Sequence, residues 1–196
     1  ELIVSEYDFS SLIYDVIHMI SMKAKEKGLE VKLELDDTLP SWLYGDDVRL
    51  RQILVNLMNN AVKYTKEGRV TLKITGVRNG KKVCLHFAVE DTGIGIKQED
   101  MEQLFVEFGR IEEKLNHKIE GTGLGMSITI QLLALMGSKL EVSSVYGEGS
   151  VFSFDLEQEI CNEKEIGRLQ QQVERQSLEC SYKVSFVAPC AKLLVV

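Results

Sequence analysis

Apolar spacing divides most of the chain into elements. Leu12, Ile13, Val16, Ile17 and Ile20 fall three and four apart, which predicts a helix capped by Ser10 or Ser11 and closed at Gly28. Leu29, Val31, Leu33 and Leu35 then alternate with Glu30, Lys32 and Glu34, the period of a half-buried strand. "TLPSWLYG" reads as a connection. Residues 46–64 return to helical spacing, with Leu50, Leu54, Leu57 and Ala61 as a core stripe. Residues 69–77 and 81–90 alternate on either side of Asn79-Gly80, a strong hairpin signal. A short helix is expected over 98–105, an aperiodic polar stretch over 109–121 and a helix over 122–136. Strands are expected over 139–144 and 150–157, around the turn "YGEG". Helices and strands intermixed with at least two hairpins predict an α+β fold, a two-layer sandwich with helices on one face of a sheet.

Composition narrows the function classes. Of 196 residues, 44% are hydrophobic, enough for a substantial core, and the net charge is −7. That charge argues against a nucleic-acid groove or contact with an anionic membrane, both of which call for basic stripes. An anionic small ligand needs only local positive charge. No apolar run approaches the roughly 18 residues of a spanning helix. Cys84, Cys161, Cys180 and Cys190 form no C-x-x-C pair, so a zinc site or disulfide framework is not expected and a reducing compartment is. From Cys161 the chain turns charged and Gln-rich, with a thin stripe of Ile166, Leu169 and Val173. Residues 9–160 are therefore expected as one domain, 161–188 as a linker and 189–196 as the start of something further. The opening on Glu1 and the closing apolar run read as part of a longer protein.

Three constellations carry candidate chemistry. On the helix over 46–64, Gln52, Asn56, Asn60 and Lys63 share one face. This is either a solvated face or a binding face. Asn costs a helix about 0.5–0.7 kcal/mol relative to Ala, and amide oxygens one turn apart suit a hard cation such as Mg²⁺ with Lys63 against a phosphate. Gly121-Thr122-Gly123-Leu124-Gly125 opens a helix, which is either a flexible turn or an anion site of free main-chain N–H groups. It matches neither Gly-x-Gly-x-x-Gly nor a P-loop. The third lies in "VEDTGIGI". Continuing the face of Val83, Leu85, Phe87 and Val89 points Asp91 inward. Asp91 then either caps its own turn or accepts from the exocyclic amine of a nucleobase, with Gly93 and Gly95 leaving room for the ring. The three groups together suit the three parts of Mg-ATP.

These stretches resemble the motif boxes of one family. "LRQILVNLMNNAVKYT" is similar to the N box of the ATP-binding domain of sensor histidine kinases. "VEDTGIGI" resembles their G1 box, "LFVEFGRI" their F box, "GTGLGMSI" their G2 box and "GEGSVFSF" the turn and strand that follow, all in family order over about residues 40–157. The resemblance implies the Bergerat fold shared with the gyrase, Hsp90 and MutL ATPases: a mixed, mostly antiparallel sheet on three helices, with a mobile lid over 97–121. It implies ATP and Mg²⁺. Asn60 would be the main metal ligand with Asn56 as helper, and Lys63 and Tyr64 would meet the phosphates and the nucleotide edge. Asp91 would bond the adenine amine beside Gly93, Gly95 and Ile96, with Ser150 helping through water. Arg110 would reach the γ-phosphate from the lid, which Phe105 and Phe108 anchor. Gly121, Thr122, Gly123, Leu124 and Gly125 would lend main chain to the phosphates.

The resemblance also implies partners. The phosphoacceptor histidine of the family sits on a separate helical hairpin, and none of His18, His86 and His117 matches its setting. Residues 1–8 would be the tail of that hairpin, "AKLLVV" the first strand of a response-regulator receiver domain, and the parent a cytoplasmic or membrane-anchored homodimeric hybrid kinase. A nucleotide-binding sensor without turnover, a serine kinase and an ATP-hydrolysing clamp are the other readings. The clamp's basic Glu has only Gln52 or Asn56 as a counterpart.

Overall fold

The computed structural model describes residues 1–101 and 124–167, with Leu169 and Val173. In chain order these form β1 (Ser5–Asp8), α1 (Phe9–Glu26), β2 (Glu30–Leu35), β3 (Pro40–Gly45), α2 (Asp47–Tyr64), β4 (Arg69–Asn79) and β5 (Lys82–Asp91). A 3₁₀ turn (Gln98–Asp100), α3 (Leu124–Leu135), β6 (Glu141–Val145) and β7 (Gly149–Glu165) follow. The strands make one sheet in the order β1-β3-β7-β5-β4-β2, with β6 beside the start of β7. Only β2 and β4 among these pairs run parallel, so the sheet is mixed and mostly antiparallel.

Alternation decides which face the helices cover. Val83, Leu85, Phe87 and Val89 of β5 are fully buried, as are their register partners Leu72 and Ile74 on β4. Phe152, Phe154 and Leu156 of β7 continue the same face. Phe87 stacks on Phe154 with ring centroids 4.8 Å apart and meets Phe9 of α1 edge-on at 6.1 Å. From the other side α1 supplies Leu12, Ile13, Val16, Ile17 and Ile20, and α2 supplies Leu50, Ile53, Leu54, Leu57 and Met58. Burial of this apolar surface, at about 25 cal/mol per Å², holds the two layers together. The result is the expected α+β sandwich. None of the described helices is long and apolar enough to cross a membrane.

Four boundaries differ from the sequence reading. Asp8, not Ser10 or Ser11, caps α1, accepting from the Ser11 N–H at 3.2 Å, because the buried Phe9 already belongs to the helix stripe. "TLPSWLYG" is strand β3 rather than a connection. Its polarity is inverted: Ser41, Leu43 and Gly45 point inward while Trp42 and Tyr44 face out, which hides the alternation. Ser5–Asp8, expected as a tail, pairs with β3 as the sheet edge. The strand expected over 150–157 continues past Cys161. β7 runs to Glu165, because β3 needs a partner along its length, with Pro40 opposite Glu165.

Candidate functional site

The site begins where α2 ends. Asp46 caps α2 by accepting from the Arg49 N–H at 3.0 Å, and the helix holds its geometry through Tyr64. Its last turn is braced from outside. Lys27, just past α1, donates from Nζ to the carbonyls of Val62 at 2.8 Å and Lys63 at 2.9 Å, placing a cation at the negative end of the helix dipole. Lys23 donates to Asn59 Oδ1 at 2.8 Å, so that third Asn of the helix serves the contact between α1 and α2. The Lys63 ammonium lies 4.8 Å from the Tyr64 ring centroid.

The loop after β5 is fastened to this helix end. Gly93 has no room for a side chain: the Tyr64 carbonyl, Asp91 Oδ1 and Thr65 Oγ1 lie 2.6, 2.7 and 3.0 Å from the place its Cβ would take. The Ile94 N–H bonds the Tyr64 carbonyl at 3.3 Å. The last turn of α2 and the loop that follows Asp91 thus meet at Tyr64.

Asp91 points inward, as its position in the alternation predicts, and stands in register with Val70 and Ser150. It also caps its own turn, Oδ1 accepting from the Gly93 N–H at 2.8 Å. The two readings of this residue are therefore compatible. Burial pushes its carboxyl above the ordinary value, while the main-chain N–H groups of Gly93 and Ser150 pull it down; burial is the larger effect. A half-buried carboxylate with one oxygen on its own loop can accept a further donor from a ligand.

A serine that sequence reasoning missed holds this arrangement together. Ser144 Oγ accepts from the Ile96 N–H at 2.8 Å, lies 2.9 Å from the Gly149 carbonyl and stands 3.0 Å from Ser150 Oγ. The Gly147 N–H bonds the Ile94 carbonyl at 2.8 Å. Gly95, at φ +65°, has the Val145 carbonyl where a Cβ would stand. The β6–β7 turn therefore clasps residues 94–96. Nothing in the sequence marks Ser144 apart from its place in an alternating strand.

On α2 the two candidate metal amides differ. Asn60 is half-buried, and its side chain makes no hydrogen bond among the described residues. Asn56 donates from Nδ2 to the Gly125 carbonyl at 2.5 Å and to Thr129 Oγ1 at 2.6 Å. No group of three His, Cys, Asp or Glu side chains that could hold a metal occurs among the described residues. The donors on this face are neutral amides, which suit a Mg²⁺ whose other ligands are water and phosphate oxygen.

Arg110, Gly121, Thr122, Gly123, Phe105, Phe108 and His117 lie outside the described residues, as do the expected lid beyond Met101 and the end of the chain. Of Leu124 only the main chain is described. His18 stacks on Tyr14, and His86 bonds Asp155 at 2.6 Å on exposed strand positions. A cavity of about 230 Å³ is lined by Asp91, Ser144 and Ser150 together with Arg69, Thr71 and Glu90, among others. It therefore shares Asp91, Ser144 and Ser150 with the place just described, and extends past them along Thr71, Glu90, Val151 and Ser143, which pair in register one residue out of phase with Asp91 and Ser150.

Comparison with known proteins gives this geometry a context. A family described as histidine kinase-, DNA gyrase B-, and HSP90-like ATPase matches residues 45–160. Hybrid signal transduction histidine kinase B of Dictyostelium discoideum is 38% identical over 156 residues, covering 78% of this chain and 8% of that protein. Aerobic respiration control sensor protein ArcB of Escherichia coli K12 is 38% identical over 150 residues, covering 76% of this chain and 19% of that protein. The chain thus spans a fifth or less of these curated relatives. Full-length ShkA, solved in complex with AMPPNP, superposes with a TM-score of 0.69 at 33% identity, covering 82% of this chain and 32% of that one. The mycobacterial sensor histidine kinase MprB shares the fold at TM-score 0.63 and 20% identity, over 81% of this chain and 99% of that one.

Proposed function

The chain belongs to the histidine kinase-, DNA gyrase B-, and HSP90-like ATPase family, and from that membership we propose that it is the ATP-binding catalytic domain of a hybrid sensor histidine kinase. It presents the γ-phosphoryl group of Mg-ATP to a histidine on a separate helical hairpin, from which a receiver domain takes it, within a homodimeric parent working in the cytoplasm. The observation that carries this reading is the junction at Tyr64, which sets the inward acid Asp91 against the end of the helix bearing Asn56, Asn60 and Lys63.

The roles follow from chemistry at each position. Asp91 accepts from the adenine amine. Gly93 and Gly95, expected from the sequence to leave room for the ring, instead have their Cβ places filled by Tyr64, Asp91, Thr65 and Val145, so they let the loop pack against α2 and the β6–β7 turn. Ile96 and Tyr64 flank the nucleotide, and Ser150 joins the base site through its hydroxyl. Lys63 stands at a helix end where a phosphate would gain a charge-assisted bond. Asn60, whose amide has no partner among the described residues, offers its oxygen for Mg²⁺; when bound, the ion would neutralise charge on the phosphates. From the segments outside the described residues, Arg110 contacts the γ-phosphate and Gly121, Thr122 and Gly123 lend N–H groups beside those of Leu124 and Gly125. Phosphoryl transfer asks little covalent work of such a domain, so positioning and charge carry the step.

The test combines the chain with a helical hairpin bearing a phosphoacceptor histidine and labelled ATP. Label should reach the hairpin histidine with the wild-type chain, and not with Asn60→Asp or Asn60→Ala, each of which should retain the wild-type circular dichroism spectrum. Transfer that survives either change would overturn the metal assignment. Nucleotide binding without transfer to any hairpin would favour a sensor without turnover.

A further inference from the structure

Asn56 and Asn60 lie one turn apart on α2, and the N-box resemblance treats both as metal amides. Their surroundings separate them. The Gly125 main-chain oxygen can only accept, so the part of Asn56 that faces it is the NH₂ group, and the amide orientation is fixed by chemistry. The second hydrogen of that NH₂ goes to Thr129 Oγ1, on a residue that is 1% exposed. Both donors of Asn56 are thus spent on α3. Its oxygen faces α3 as well, since the place a Cβ would take on Gly125 is filled by Asn56 Oδ1. Glycine at 125 therefore makes room for the amide of 56. Asn60 has no such engagement among the described residues.

We propose that Asn56 is a positioning residue whose amide locks the first two turns of α3 onto α2, through the Gly125 carbonyl and the Thr129 hydroxyl, and that Thr129 is its working partner. α3 is the helix that the glycine-rich segment opens, so the lock sets where main-chain N–H groups meet phosphate. The division of labour is then one amide for the helix and one for the metal. This assignment rests on the nucleotide reading above for its functional consequence, and on the contacts alone for its structural one.

Two measurements on the full chain test it. Hydrogen exchange without nucleotide should show the amides at 128–132 exchanging at least about tenfold faster in Asn56→Asp, and about threefold faster in the near-isosteric Thr129→Val, with α1 and β5 unchanged. Titration with ADP in EDTA and again with Mg²⁺ should show Asn56→Asp and Thr129→Val weakening binding by the same factor in both buffers. Asn60→Asp should change only the Mg²⁺-dependent part. Unchanged exchange in both variants at 56 and 129 would overturn the lock. So would wild-type ADP affinity in EDTA combined with a lost Mg²⁺ increment in Asn56→Asp, which would make Asn56 a ligand. A wild-type chain that binds no nucleotide would remove the nucleotide reading, while the exchange result would still decide the lock.

Discussion

The Asp91 carbonyl occupies the place where a Cβ on Gly149 would stand, and Gly149 itself sits at φ +135°. Main chain meets main chain there, so no rotamer change relieves a substitution. Gly149→Ala should destabilise the fold by about 1–3 kcal/mol for the dihedral alone, with the clash added. Urea denaturation reads the shift in midpoint, and Gly137→Ala, at φ +75° with open space around it, supplies the dihedral-only control.

Asp91 links pocket chemistry to stability. Its carboxyl is raised by burial, so the folded chain binds a proton more tightly than the unfolded chain does. That stabilising contribution is present at low pH and is lost as pH rises through the folded value. Asn at 91 can still accept from the Gly93 N–H but carries no charge to desolvate. Asp91→Asn should therefore melt above wild type at about pH 8, with the gap narrowing toward about pH 5. Its affinity for adenine nucleotide should fall by about 10–100-fold, the scale of a charge-assisted hydrogen bond. Paired melting and calorimetric titrations check both.

Ser144→Ala should leave the Ile96 N–H without its partner and untie Gly149 from the loop it clasps. An orphaned, part-buried N–H costs about 1–2 kcal/mol. Thermal denaturation should show that loss, and adenine affinity should drop while Mg²⁺ dependence stays as in wild type.

Lys27→Met removes two bonds to the last carbonyls of α2 and keeps the aliphatic stem. The site is solvent-facing, so the global cost should be about 1 kcal/mol or less. The local effect should be larger: amides at 62–65 should exchange faster, and the Lys63 and Tyr64 end of the site should lose order before β5 does.

Legibility in the sequence followed periodicity. α2, β4 and β5 were readable within a few residues because their apolar positions recur at one clean period, and β6 because it adjoins a turn signal. β3 was not, since its inward residues are Ser, Leu and Gly while Trp42 and Tyr44 face out, and the rule that large apolar side chains mark the buried face fails there. The end of β7 was missed for the same reason: past Gln158 the strand is held by main-chain pairing to β3, which no side chain announces. In the candidate site, the inward placement of Asp91 was legible because an acid on an apolar face is chemically out of place, and Asn60 stands out as a proposed metal ligand because a helix there favours Glu or Lys. Ser144, Thr129 and Lys27 act through contacts between elements distant in the chain, and small hydroxyls or terminal lysines are common enough to carry no signal alone.

β7 has one consequence for how such a domain can change. A single seventeen-residue strand abuts β6 and β3 along one side and β5 along the other, so its phase is shared by every central pairing. A slip of one residue would turn Phe152, Phe154 and Leu156 into water and withdraw Ser150 from Asp91 in the same movement. The wall at Asp91 and Ser150 is thus inherited from the oily interior, and under the proposed nucleotide reading new ligand preferences have to be written in the loops, where a substitution can alter recognition without renegotiating the sheet.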